Sequence, residues 1–132
     1  MKRSLAIAAA LIALVALVTG VAYAQSYSFQ LEQEVVDVFL ESDGTYRLAY
    51  AFLFANEPGG SPIDFVDVGL PSSDYDLSSI RASVDGQPTS DISTSPYVTP
   101  GVAVGLGDQA IPSGQTGTLL VEIGRASCRE RV

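Results

Sequence analysis

Apolar and polar residues alternate over several short runs of the chain, and a period of two is typical of β-strands. The longest such run covers positions 45–54 and has small or apolar residues on its second face, which predicts a central strand. A shorter run over positions 80–84 predicts another strand that faces the core. The predicted core residues of these two runs are Tyr46, Leu48, Tyr50, Phe52, Ile80 and Val84.

The first alternating run, at positions 27–40, changes phase between positions 32 and 35. This slip predicts either a β-bulge or two short strands. Two Asp-Gly pairs, which place Gly44 and Gly86 at the second position, are strong signals for hairpin turns. With the remaining short runs, the pattern predicts about seven strands in an antiparallel β-sandwich, and no amphipathic helix beyond the N-terminal segment.

The N-terminal segment has the three parts of a secretory signal peptide. Lys2 and Arg3 precede an unbroken apolar run of 14 residues, 5–18, and Ala22-Tyr23-Ala24 has the small-x-small form of a cleavage site. Residues 1–24 are therefore predicted to be removed, and the mature chain begins at Gln25. An uncleaved anchor formed by residues 5–24 is the alternative. Either way, the protein is expected outside the cytoplasm: secreted, periplasmic or anchored at the cell surface.

The last ten residues differ in composition from the rest of the mature chain. Residues 25–122 contain only two basic residues, whereas positions 125–131 contain three arginines and the single cysteine of the chain, Cys128. Residues 123–132 resemble the translation of a common sequencing adapter, ATC GGA AGA GCG TCG TGT AGG GAA AGA GTG, over ten consecutive codons. We therefore predict that 123–132 is an artefact and that the natural chain is cut after Glu122. An authentic Arg-rich tail is the alternative.

Two segments also resemble parts of known proteins. The segment 111–121, IPSGQTGTLLV, resembles the turn that precedes a late strand in many bacterial immunoglobulin-like sandwiches. The segment 36–44, VDVFLESDG, followed by an alternating aromatic strand, is similar to the opening of uncharacterised bacterial exported proteins that are anchored further along the chain. Both motifs are structural, so the resemblance implies a fold but no catalytic or binding residue. It also implies further domains or a C-terminal membrane anchor beyond the cut.

Taken with the cut, these patterns predict an all-β fold with three segments: a signal peptide at 1–24, a β-sandwich domain at 25–122 and an artefact at 123–132. With the resemblance, the domain is expected to be an antiparallel immunoglobulin-like β-sandwich of about seven strands, truncated at the C-terminus and preceded by a signal-peptide helix.

Composition excludes several classes of function. The 132-residue chain has no histidine, which removes Ser-His and Cys-His catalysis and histidine-ligated zinc. Residues 25–122 carry 14 carboxylates against two arginines, a net charge of −12, so neither nucleic acid nor anionic lipid is an expected partner. They also contain no cysteine, so the core must hold the domain without disulfides.

The acidic residues are the main candidates for a binding site. Asp74 and Asp76 lie in a predicted turn and offer hard oxygen ligands for calcium, although turn-forming aspartates on a solvated surface are the favoured interpretation. Tyr75 and Tyr97 fall in predicted loops and are the better candidates for exposed contacts with a glycan. The glycine motif at 105–110 lacks the following helix that phosphate binding needs, and it is rejected.

These observations predict a non-enzymatic extracytoplasmic module, a spacer or interaction domain of a longer surface or secreted protein, with no catalytic residues. Its partner is unknown from the sequence, and a protein or a glycan is the candidate. A calcium-stabilised adhesion or carbohydrate-binding module is the alternative. If the whole protein is an enzyme, its catalytic residues are expected beyond Glu122, because 25–122 offers no nucleophile paired with a base. Membrane contact is expected only through the signal peptide or a missing C-terminal anchor.

Overall fold

The computed structural model describes residues 26–127. The predicted signal peptide and Cys128 lie outside the described residues. In the described part the chain forms eight strands and two short 3-10 turns, at Leu77–Ser79 and Gly107–Gln109. The strands are β1 (Phe29–Leu40), β2 (Thr45–Asn56), β3 (Phe65–Gly69), β4 (Arg81–Val84), β5 (Gln87–Thr89), β6 (Ile92–Thr94), β7 (Gly101–Gly105) and β8 (Thr116–Ser127).

The strands form two antiparallel sheets that pack together. The larger sheet has the order β1-β2-β8-β4-β5, and the smaller one has the order β3-β7-β6. The prediction of an all-β, sandwich-like fold is therefore confirmed. The strand number is eight rather than about seven, because the weakly patterned stretch after Gly86 forms both β5 and β6.

The core lies between the two sheets and has β2 near its centre. Alternate residues of β2 are buried, as expected for a strand whose aromatic face meets the opposite sheet. The small sheet contributes Val102 and Val104 of β7, which have no exposed surface. The six core residues predicted from the sequence are all buried, with exposed fractions of 8% or less: Tyr46, Leu48, Tyr50, Phe52, Ile80 and Val84.

Both predicted hairpin turns are present. Gly44 has a φ of +81°, and the turn between β4 and β5 has φ values of +49° at Asp85 and +83° at Gly86. Two consecutive positive φ angles are what a two-residue hairpin turn of the matching twist requires, and Gly adopts them without strain. Asp85 is held in this conformation because its Oδ1 accepts a hydrogen bond of 2.9 Å from the amide of Thr118.

The phase slip in the first run is a β-bulge within one strand. The pairing of β1 with β2 shifts register between Leu31 and Gln33, and the strand continues without a break to Leu40. Of the two predicted alternatives, the bulge is confirmed. The bulge places apolar residues after Gln33 on the same side of the sheet as the buried side chains of β2.

Candidate functional site

The loop that carries the predicted calcium ligands is a capped turn. Asp76 precedes the 3-10 turn, and its Oδ1 accepts hydrogen bonds from the Ser78 amide at 2.9 Å and the Ser78 hydroxyl at 2.7 Å. The hydroxyl bond is the largest of the effects that lower the pKa of Asp76, and the amide bond adds to it. In the same loop, the Asp74 amide donates to Ser72 Oγ at 3.0 Å. These contacts are those of turn-forming residues.

Calcium needs six to eight oxygen ligands, and a site that binds it tightly usually has several carboxylates. Among residues 26–127, no group of three or more His, Cys, Asp or Glu side chains lies close enough to hold a metal ion. Asp74 and Asp76 would therefore need ligands from backbone carbonyls, hydroxyls and water. The calcium site at Asp74 and Asp76 stays a prediction.

A cleft of about 690 Å³ opens beside this loop, between the 3-10 turn and strands β4 to β6. Its two charged residues are Asp76 and Arg81, and its apolar wall includes Leu77 and Ile92. Arg81 Nη1 donates to the carbonyl oxygens of Ser78 and Ile80 at 2.7 and 2.9 Å, which holds the guanidinium against the backbone. The cleft therefore offers an apolar surface with a polar rim that is already engaged in local hydrogen bonds.

The two loop tyrosines differ in exposure. Tyr97 is 77% exposed and is available for a contact with another molecule. Tyr75 is partly buried against the core, and its hydroxyl donates to the Gly101 carbonyl at 3.3 Å. The expectation of an exposed contact therefore fits Tyr97, whereas Tyr75 has a structural role.

Strand β1 lies at the edge of the larger sheet and is exposed along its whole length. All twelve of its residues are exposed, although its neighbour β2 is buried on alternate positions. The residues of β1 that lie opposite the buried residues of β2 share their face, and most of them are apolar. These residues, named the open face here, are Phe29, Leu31, Glu34, Val36, Val38 and Leu40.

The open face is exposed because no strand of the smaller sheet covers it. Exposure along this face is 45% at Phe29, 42% at Val36, 56% at Val38 and 83% at Leu40. Phe29 still contacts Phe54 of β2, edge to face, at 5.6 Å between ring centroids. The face is thus most open at the end of the strand near Leu40. Contiguous apolar surface of this kind marks an interaction site in soluble proteins.

Strand β3 borders the same opening from the opposite sheet. Its start contacts the segment before β1, since Tyr27 packs edge to face on Phe65 at 6.0 Å and donates to Asp64 Oδ1 at 2.6 Å. This hydrogen bond is the main cause that raises the pKa of Tyr27. Among residues 26–127, β3 is paired along one edge, with β7. The open face and the free edge of β3 therefore lie side by side. The alternating sequence of β1 did not predict that the open face is uncovered.

The end of β8 includes residues from the predicted artefact. Ile123 is 2% exposed and pairs with Leu48, and the strand continues to Ser127. Beyond Ile123, the pairing with β2 shifts register between Tyr46 and Leu48. The origin of residues 123–132 stays a prediction.

Comparison with protein-family models, curated proteins and solved structures found no match. Among residues 26–127, no helix has the length and apolar character needed to cross a membrane.

Proposed function

We propose that the protein is a non-enzymatic, extracytoplasmic β-sandwich module that acts as a spacer or interaction domain within a longer surface or secreted protein. The observation that carries the proposal is the open face of β1 beside the free edge of β3. A self-contained sandwich buries the apolar faces of both sheets. A module that leaves one strand uncovered is suited to packing against further polypeptide.

The arrangement of the strands supports an immunoglobulin-like fold for this module. In that fold one sheet has the order A-B-E-D, and strand C belongs to the other sheet. The order β1-β2-β8-β4 corresponds to A-B-E-D, and β3 at an edge of the smaller sheet corresponds to C. Under this proposal, strands β5, β6 and β7 are an addition to the fold, because they come between β4 and β8 in the chain.

Export can be tested with a reporter fusion. Residues 1–122 are joined to alkaline phosphatase, which is active only where its disulfides form, and expressed in a bacterial host. We expect phosphatase activity and a mature N-terminus at Gln25 by mass spectrometry. A matched fusion with Leu11→Arg should be inactive, because a charge interrupts the apolar run. Equal activity of both fusions, or retention of both in the cytoplasm, would refute an extracytoplasmic module.

The alternative, a calcium-stabilised adhesion or carbohydrate-binding module, is favoured by the acidic turn at Asp74 and Asp76. For the spacer or interaction module, we expect the melting temperature of the mature chain to change by less than about 2 °C between millimolar calcium and a chelator. A ligand at 100 times its dissociation constant stabilises a protein by about 2.7 kcal/mol, which raises the melting temperature by about 10 °C or more. A rise of that size, lost in Asp76→Ala and kept in Asp108→Ala, would establish the calcium site instead.

A further inference from the structure

We propose that the opening between β1 and β3 is filled by a strand from the polypeptide that follows Glu122 in the natural reading frame. This strand pairs with the free edge of β3 and covers the open face of β1. This proposal rests on the proposed function, because it requires a longer natural protein.

The first support is the apolar character of the open face. Five of its six residues are apolar, and they lie on the same side of the sheet as the buried aromatic residues of β2. Covering this face continues the existing core by one strand width. Such burial stabilises by about 25 cal/mol for each Å² of apolar surface removed from water.

The second support is the backbone of β3. The Asp64 carbonyl accepts from the Leu106 amide, and the Leu70 amide donates to the Pro100 carbonyl, so residues 64, 66, 68 and 70 direct their backbone groups towards β7. The amides of Phe65, Asp67 and Gly69 and the carbonyls of Phe65 and Asp67 therefore point away from β7, towards the opening. A strand added there would satisfy them by antiparallel pairing.

The third support is the direction of β8. Up to Glu122, which pairs with Ala49, this strand runs towards the end of the sheet that holds Leu40. Strand β3 begins near Tyr27, at the other end of the sheet, and runs towards Tyr50, whose hydroxyl donates to the Gly69 carbonyl at 3.4 Å. A chain that leaves β8, crosses to the opposite sheet and returns would therefore run antiparallel to β3, and a short connection suffices.

Charge also favours this occupant over a second copy of the chain. Residues 25–122 carry a net charge of −12, so two copies repel each other. A second copy that pairs edge to edge with β1 would extend the larger sheet and leave the open face uncovered.

The test compares two proteins: the mature chain Gln25–Val132, and the mature chain encoded by the source DNA across codon 122. In the longer protein we expect the amides of Asp67 and Gly69 to exchange hydrogen at least about 100-fold more slowly than in the shorter one, because they gain carbonyl partners. Equal exchange in the two proteins would overturn the proposal. So would a source gene that encodes residues 123–132 and then stops.

A matched pair of variants separates the open face from the rest of β1. Val36 lies on the open face and is 42% exposed, whereas Val35 lies on the opposite face and is 39% exposed. In the longer protein, Val36→Lys should lower the melting temperature by about 10 °C or more, because it places a charge under the covering strand. Val35→Lys should change the melting temperature by less than about 3 °C. In the shorter protein both changes should be small.

Equal effects of the two variants in the longer protein would overturn the proposal. A dimer of the shorter protein that Val36→Lys converts to a monomer, measured by light scattering, would assign the opening to a second copy and overturn it as well. The export assay is independent of these outcomes, since it depends on residues 1–24. Failure there refutes the proposed function, whereas failure here refutes only the occupant of the opening.

Discussion

Replacing Phe52 with alanine is expected to lower the free energy of unfolding by about 3–5 kcal/mol. Phe52 is 7% exposed at the middle of β2, where its ring stacks on Tyr50 at 5.7 Å and lies 6.1 Å from Phe54. It also pairs across the sheet with Leu119, which has no exposed surface. Truncation leaves a cavity that these rigid neighbours in two central strands cannot fill.

The loss can be measured by urea denaturation of the mature chain, followed by far-ultraviolet circular dichroism. A native domain is typically stable by about 5–15 kcal/mol, so this variant is expected to lose a large part of its stability. Phe39→Ala is the matched control. Phe39 is 45% exposed on the outer face of β1, where its ring lies under the Arg47 guanidinium at 5.1 Å.

The control Phe39→Ala should lower the free energy of unfolding by no more than about 1 kcal/mol, because an exposed cation–π contact contributes about that much. A Phe52→Ala variant with the stability of the parent protein would show that the aromatic face of β2 is not the core. A control as damaging as Phe52→Ala would show that the outer face of β1 is buried, which contradicts the exposure of Phe39.

Replacing Asn56 with aspartate is expected to cost about 3–5 kcal/mol at pH 7 to 8, as other uncompensated buried charges do. Asn56 is 4% exposed at the end of β2. Its Nδ2 donates to the carbonyl oxygens of Ser61 and Ile111, both at 3.0 Å, and so ties the loop after β2 to the segment before β8. A carboxylate of the same shape would face two carbonyl oxygens with no donor.

The destabilisation of Asn56→Asp should depend on pH. Burial and the two carbonyls raise the pKa of the introduced carboxyl in the folded state above its unfolded value of about 3.9. The protonated form is therefore the one that the folded state accommodates. Relative to the parent protein, the variant is most stable at low pH, and it loses stability as the pH rises through the folded-state pKa.

Urea denaturation of the parent and variant proteins at pH 4.5 and pH 8 measures this dependence. Asn56→Ala is the control, because it removes the same two hydrogen bonds without adding a charge. Its cost should be the same at both pH values. If Asn56→Asp were also equally stable at both, the site would be open to water and the buried bridge to Ser61 and Ile111 would be wrong.

The positions of the main strands were predictable because the period of two is a local property. The alternation around Phe52, Val84 and Val104 placed β2, β4 and β7 correctly, and the Asp-Gly pairs marked their turns at Gly44 and Gly86. Strands β5 and β6 were not predicted, because three-residue strands have too little pattern of their own. They form by pairing with β4 and β7, the strands that flank that stretch in sequence.

For individual side chains too, contacts within a local segment were predictable and contacts between distant segments were not. Asp76 was correctly expected to favour a turn, since an aspartate can bond to an amide two residues along the chain. The burial of Asn56 and the partial burial of Tyr75 could not be predicted, because their partners, Ile111 and Gly101, are far away in sequence. Local bonds can be inferred from neighbouring residues, but contacts between distant segments follow only from the packing of the sheets.

The sequence by itself determined that this chain forms antiparallel strands, which residues share a face of each strand, and where the hairpins turn. Only the tertiary structure decided which of those faces is covered. The sequence of β1 alternates between apolar and polar residues as that of β2 does. Strand β2 nevertheless lies beneath the three-stranded sheet, whereas β1 lies beyond the edge of that sheet. Side-chain alternation records the two sides of a strand, whereas burial depends on how many strands the opposite sheet contains and where that sheet ends.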